Sequence, residues 1–228
     1  MGDNYEFEFR EFFEGEWMDR QRYYLDQLIS YHSSFHKHSD GELKEVISKV
    51  LNHYQEYYAA KSRAAQQDVF SLFAPPWFST YERSFLWITG FKPGIAFSFI
   101  NKSVKDLSED QVERCRRLEA ETRGKERELS RDLAVIQESA AAINLVVLTG
   151  DLGKQEDGRT SHVNEVLEKL KERMESLVQS ADYLRLWTAR EVLEILNPVQ
   201  SIKFLAAATQ FQIRIRVLGK YRDSQRSY

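Results

Sequence analysis

The chain has 228 residues, 42% of them hydrophobic and 29% charged, which is enough apolar material for a sizeable core and excludes a disordered chain. Its longest apolar runs, such as Ile143–Leu148, fall far short of a bilayer span, and its single cysteine, Cys115, excludes an internal disulfide and fits a reducing compartment. Ten Gly and four Pro are few for this length, and that scarcity predicts long helices.

The opening stretch MGDNYEFEFREFFEGEW has no basic region followed by an apolar one, so no signal peptide is expected. Residues 1–20 carry seven acids against two Arg. From Phe13 the positions Phe13, Trp17, Tyr24, Leu25 and Leu28 recur at helical spacing and predict a first helix near 8–31. After the loop HSSFHKHSDG, Ser39 and Asp40 with Glu42 behind them read as a helix start. Leu43, Val46, Ile47, Val50, Tyr54, Tyr57, Tyr58 and Lys61 then predict a second long helix, near 40–74, which Pro75 and Pro76 end. Ser79 and Glu82 have capping-box spacing, so a short helix is expected from Ser79 to Gly90. Pro93 opens another, with the face Ile95, Ala96, Phe99 and Ile100.

Ser108 and Gln111 repeat the capping pattern and open the longest helix, near 109–148. Its inward positions are Cys115, Leu118, Thr122, Lys125, Leu129, Leu133, Ile136, Ala140, Ile143 and Val147. Their near-heptad steps, broken by polar members and Gly124, suit antiparallel packing in a bundle and leave room for a homodimer. The Gly-rich, charged stretch 149–160 predicts a flexible linker. A helix near 161–196 follows, and Asn197, Pro198 and Gln200 start the last one, near 198–218, which Gly219 should end. Residues 223–228 are expected to be a disordered basic tail. No strand and no repeat of solenoid period is expected. The fold class is thus all-α: an antiparallel bundle of about seven helices, in a single domain over 1–222.

Few residues suggest chemistry. His32, His36 and His38 have partly metal-like spacing but no companion Cys or carboxylate motif, so no metal site is expected. There is no nucleophile elbow, phosphate loop or dinucleotide fingerprint, and Cys115 lies on an inward stripe, so neither catalysis nor a cofactor is expected. The chain has no basic zipper region, and direct sequence-specific DNA binding by this chain alone is not expected. Tyr54, Tyr58, Trp77, Phe85 and Trp87 could line an apolar pocket or fill the core. Residues 210–228 carry Arg214, Arg216, Lys220, Arg222 and Arg226 against Asp223. This basic end is either a solvated helix terminus or a surface for an acidic partner, calmodulin included.

Several spaced motifs resemble one plant family. Leu51-Asn-His53-Tyr54, Tyr57 and Lys61 are followed by Asp68-Val-Phe70, Pro76-Trp77, Ser79, Glu82, Trp87, Gly90-Phe91 and Pro93. Leu107, Gln111, Leu118, Glu126, Leu133, Ala134 and Gln137 continue the pattern, as do Ala181–Arg185, Leu193–Gln200 and Phe204–Arg216. The order and spacing are similar to the Delay of Germination domain, which is also the carboxyl-terminal half of TGA-type basic-zipper transcription factors. The resemblance implies a non-enzymatic, plant-specific helical regulator, nuclear or cytoplasmic, in seed dormancy, abscisic-acid signalling or transcription. It implies protein partners: type 2C phosphatases, co-activators, TGA-type factors or a second copy. Some members hold haem or a fatty acid. Haem-binding members carry a His-x3-His pair where this chain has Gln212 and Arg216, so no haem is expected at that site. Phosphatase-binding members have an acidic-aromatic segment ending in Glu-Trp, matched here by Glu16 and Trp17. The expected contact surfaces are the first helix around Glu16 and Trp17, and the basic end at Arg214, Arg216 and Arg222. Any DNA association would be through a basic-zipper partner.

Overall fold

The computed structural model describes residues 8–149 and 157–226, with side chains over 8–141 and 164–226. A π-helical segment, Phe12–Trp17, leads into α1 (Met18–Ser33). Then come α2 (Asp40–Phe73), the single turn α3 (Thr80–Arg83), α4 (Ile95–Ser103), α5 (Glu109–Thr149), α6 (Asp157–Ile195) and α7 (Pro198–Arg226). The described residues thus form an all-α bundle, as the apolar periods predict. Residues 150–156, the centre of the expected linker, lie outside the described residues.

The helix starts are set by short-range chemistry. Ser39 and Glu42 form a reciprocal capping box at α2, and Ser79 and Glu82 form another at α3. At α5 the Gln111 amide N–H donates to Ser108 Oγ (3.2 Å) while Gln111 Oε1 accepts from the Ser108 N–H (3.0 Å). Asn197 and Gln200 exchange the same pair of bonds at α7 (2.9 and 3.0 Å). Each box satisfies two amides that a helix start would otherwise leave unpaired.

Helices α5 and α6 run antiparallel. Gln111 Nε2 near the start of α5 donates to the Ile195 carbonyl at the end of α6 (2.8 Å), and one step inward Lys125 Nζ sits 3.6 Å above the Trp187 ring centre. The core divides into two apolar clusters. One gathers Leu28, Val50, Phe97, Ile100, Val192 and Ile202, among others; the second gathers Phe13, Trp17, Val69, Trp77, Leu177 and Ala181. Tyr54 packs against both. On α5, Cys115, Leu118, Thr122 and Ile136 are buried as the stripe predicts; the Ile143 and Val147 side chains lie outside the described residues.

Three boundaries differ from expectation. The helix from Ser79 stops at Arg83, because Trp87 and Gly90 close a tight turn by exchanging backbone hydrogen bonds (2.6 and 3.2 Å). Helix α2 is broken at Asp68 (φ −145°, ψ 96°), whose carboxylate caps the following turn by accepting from the Phe70 N–H (2.9 Å). Finally, α7 runs through Gly219 to Arg226, so residues 223–226 of the expected tail are helical. Gly219 is buried against α3: a Cβ there would lie 1.9 Å from Ser79 Oγ. One turn on, Asp223 accepts from the Thr80 N–H (3.0 Å) and holds the two helices together.

Gly219 therefore serves close approach between helices. Gly219→Ala is expected to destabilise the fold by about 1–3 kcal/mol through overpacking against the α3 cap. Gly124→Ala, in the interior of α5 with no foreign atom nearer than 4.0 Å, should instead stabilise it by about 0.5–1 kcal/mol. Urea denaturation of the two variants measures both signs.

Candidate functional site

Between the two apolar clusters lies a cavity of about 180 Å³. Its wall takes Phe13, Trp17 and Met18 from the amino-terminal segment and Tyr54, Tyr57, Tyr58 and Lys61 from α2. Residues 89–99, α6 near Arg185 and α7 from Phe204 to Arg216 complete it. Of the five residues expected at a pocket or in the core, Tyr54 and Tyr58 line this cavity and the other three do not. Trp77 is buried in the second apolar cluster. Trp87 is half-buried, its Nε1 donating to Ser130 Oγ (3.0 Å). Phe85 is 37% exposed, so it neither lines the cavity nor fills the core: α3 ends too early to carry it inward.

One wall is a strained turn. Ile88 and Thr89 both have positive φ (42° and 62°), a region that side chains branched at Cβ rarely adopt. Such backbone costs on the order of 1–3 kcal/mol per residue and persists only when the surroundings hold it. Here two buried cations do so. Arg185 donates to the carbonyls of Trp87 (2.6 Å), Ile88 (2.9 Å) and Phe91 (2.8 Å). Lys61 Nζ donates to the Thr89 carbonyl (2.8 Å). Both cations also bond one oxygen of Asp182, Lys61 at 3.0 Å and Arg185 at 2.5 Å. A Cβ on Gly90 would lie 2.9 Å from the Arg185 guanidinium carbon, so glycine lets the arginine reach the backbone. Burial pushes the Lys61 ammonium down to about 8, against the pull of Asp182 and with help from Arg185.

A second ionic group joins the chain's ends to α3. Arg216 donates to Glu82 (2.9 Å) and Glu14 (2.5 Å), and its guanidinium lies 4.8 Å from the Phe13 ring centre. Glu82 Oε2 meanwhile accepts from the Ser79 N–H (2.8 Å), so the capping partner is also an ion-pair partner. Next to it runs a polar chain. His53 Nε2 meets Gln21 Oε1 (2.9 Å); Gln21 Nε2 donates to Tyr54 Oη (2.9 Å) and to Gln212 Oε1, which also accepts from Tyr54 (3.1 Å). Gln212 and Arg216 thus carry no imidazole and are engaged in bonds within the bundle, which does not fit an axial haem pair.

This geometry corrects two of the expected contact residues. Trp17 is 3% exposed: it stacks on the His53 ring (centres 4.7 Å apart) and its Nε1 donates to the His53 carbonyl (3.2 Å). Arg216 is 5% exposed, buried by its two carboxylate partners. Glu16, Arg214 and Arg222 remain exposed. In the 32–38 segment His32 and His36 are exposed while His38 stacks on Tyr31 (4.3 Å), so the three rings do not converge. Among the described residues no group of three or more His, Cys, Asp or Glu could hold a metal ion, and no helix is long and apolar enough to cross a membrane.

The clamp formed by Asp182 and Arg185 was not singled out by sequence reasoning, although a signal existed. Lys61 falls on the apolar stripe of α2, and a lysine on a buried face needs an anion.

The residues of this clamp coincide with the family motifs, and comparison with known proteins agrees. The family model for seed dormancy control (DOG1) matches residues 25–102. Protein ZW2 of Arabidopsis thaliana is 38% identical, over 92% of this chain and 96% of its own length. The chain belongs to the DOG1 family. The Arabidopsis protein RESPONSE TO ABA AND SALT 1 is 36% identical, over 88% of this chain and 90% of its own length. Transcription factor TGA6 of Arabidopsis is 28% identical, over 89% of this chain but only 61% of the factor. These relatives support a plant regulatory role.

Two outcomes test the site as built. Asp182→Asn leaves two buried cations without their anion and should cost about 3–5 kcal/mol in denaturant unfolding. His53 titrates near 4, held down from its usual 6.5 by burial and then by Arg20. Between those values the unfolded chain binds a proton that the folded one refuses, so stability should fall as pH drops from 6.5 towards 4. His53→Gln should flatten that slope, as measured by urea midpoints across the range.

Proposed function

We propose that the protein is a non-enzymatic plant regulator that acts by binding other proteins, in seed-dormancy or abscisic-acid-type signalling or in transcription regulation, in the nucleus, the cytoplasm or both. The observation that carries this reading is the outer half of α7. Arg214, Val217, Leu218, Tyr221 and Arg222 are all exposed there, with Val217 at 56%, Leu218 at 51% and Tyr221 at 62%. These residues recur every three or four positions and place apolar side chains beside cations. Such a face suits an acidic partner with apolar anchors, which a folded core would not leave in water without use. Calmodulin, an acidic co-activator, a TGA-type factor or a type 2C phosphatase are the partner classes to try. The buried charges support the same reading from the other side: Lys61, Asp182, Arg185, Glu82 and Arg216 hold the fold, which leaves them no evident catalytic task.

The test is capture of partners from plant nuclear and cytosolic extract by the intact protein and by a Val217→Asp/Tyr221→Asp/Arg222→Glu variant. These side chains are exposed, and apart from the Arg222 guanidinium 5.3 Å from the Tyr81 ring centre they pack on nothing that the fold needs, so thermal unfolding should shift little. Loss of the captured partners at equal stability supports the reading, and full retention removes α7 as the contact face.

The cavity favours a second reading, in which the bundle encloses a small apolar ligand. Its walls are chiefly aromatic and aliphatic, with a few polar groups, which is the usual make-up of a ligand site. Native mass spectrometry of protein purified from plant tissue should then show a stoichiometric added mass, whereas a clean mass of the bare chain would count against it.

A further inference from the structure

The cavity is amphipathic: Glu82, Arg216 and Gln212 line it with their bonds already made inside the bundle, whereas the polar groups at Lys61 and Thr89 are not all filled. Lys61 Nζ binds the Thr89 carbonyl at 2.8 Å and lies 6.0 Å from the centre of the Tyr58 ring, which in turn meets Tyr57 at 5.3 Å between centres. Another part of the wall is aromatic: Phe211 packs on Phe91 at 5.4 Å and on Phe99 at 5.2 Å.

Three features of the corner at Lys61 and Thr89 point the same way. The first is charge. Lys61, Arg185 and Asp182 are 2%, 8% and 6% exposed, two cations to one anion, so the clamp buries one positive charge in excess. The second is hydrogen bonding. Lys61 has three N–H donors and uses two, on Thr89 and Asp182. The Tyr57 and Tyr58 hydroxyls make no hydrogen bond within the described residues, and Thr89 Oγ1, in a residue 6% exposed, is buried without a partner. Each of these groups can donate, and the third Lys61 N–H can only donate, so the corner suits a ligand group that accepts. The third is size. A cavity of about 180 Å³ slightly exceeds the roughly 150 Å³ of an engineered apolar cavity that takes up benzene.

We propose that this cavity binds a compact monocarboxylate with an aromatic or short aliphatic body, its carboxylate received by Lys61, Tyr58 and Thr89 and its body by the Phe91–Phe99–Phe211 side. The proposal rests on the reading of the cavity as a ligand site and narrows it to one chemical class. The head group supplies the missing negative charge and accepts from donors that otherwise stand unpaired in a region of low dielectric. A ligand seated there would also touch the turn at Thr89, and so would favour the clamped form of residues 87–91.

Calorimetric titration of the intact protein with three probes tests it: naphthalene-carboxylate, the neutral naphthalene-methanol of the same shape, and hexadecanoate. The carboxylate should bind about tenfold or more tightly than the alcohol, the difference expected of one charge-assisted hydrogen bond. Lys61 is part of the fold, so its removal would confuse binding with stability. Thr89→Val and Tyr58→Phe keep the shape and remove only unpartnered hydroxyls. Each should weaken the carboxylate severalfold with unfolding temperature unchanged. Equal affinity for acid and alcohol would overturn the head-group assignment while leaving the cavity a ligand site. Tight hexadecanoate binding without naphthalene-carboxylate binding would overturn the compact class. Failure of all three probes, with water alone filling the space, would overturn both readings.

Discussion

Asp182 is the only anion bonded to two buried cations, Lys61 from α2 and Arg185 from its own helix, among the described residues. Each cation extends past it to backbone carbonyls of the segment 87–91. Helices α2 and α6 and the irregular stretch between α3 and α4 are thereby joined at a single carboxylate. Such a junction is costly to desolvate and gains little over an apolar core of the same volume, but it is very sensitive to the loss of one member. What it adds is geometry: it holds Ile88 and Thr89 in a conformation they would not keep alone. The cavity wall at Thr89 exists because that turn does.

The second ionic group works on the same terms and also lines the cavity, through Glu82 and Arg216. Glu82 begins as a local device, the reciprocal partner of Ser79, and is then reused by Arg216 of α7. Glu14, within the π-helical entry to α1, completes the group, so one acid from the beginning of the chain meets Arg216 and Lys220 near its end. Part of the charge asymmetry that looks like two outward surfaces is spent internally. What remains outside is the apolar and basic flank of α7 and, at the amino-terminal segment, acids such as Glu11, Glu16 and Asp19.

Local features were legible in the sequence. The four capped helix starts were readable because their chemistry spans three residues, and the long helices because apolar spacing of three and four fixes which face is buried. Reading failed where distant residues decide. Nothing in Trp87-Ile-Thr-Gly90 marks a tight turn, since Asn or Gly usually fills its centre; the conformation is imposed by Lys61 and Arg185. Trp17 and Arg216 resembled contact residues by type and position, and only the packing of α1 and α7 against α2 and α3 shows them enclosed. Gly219 resembled a helix stop because glycine often is one, and the need for close approach to Ser79 cannot be seen without α3 in place. The cavity was half legible: Tyr54 and Tyr58 were identified through their stripe, but Thr89 and Phe211 reach it from segments far apart in the chain.

The clamp also has a place in time. Lys61 and Asp182 are 121 residues apart, and Arg185 is 94 residues beyond the Phe91 carbonyl it binds. A ribosome adding roughly 5–20 residues per second leaves an interval of about 5–19 s between Phe91 and Arg185. Through that interval the aromatic segment from Trp77 to Phe91 is complete but lacks the anion and the guanidinium that fix it. The part of the chain most rich in large apolar side chains is therefore among the last to acquire its native shape, and a nascent chain stalled before α6 presents it unlocked. Long-range closure of this kind slows folding and lengthens exposure to aggregation or to chaperones. The fold's most distinctive stretch is thus made early and finished late.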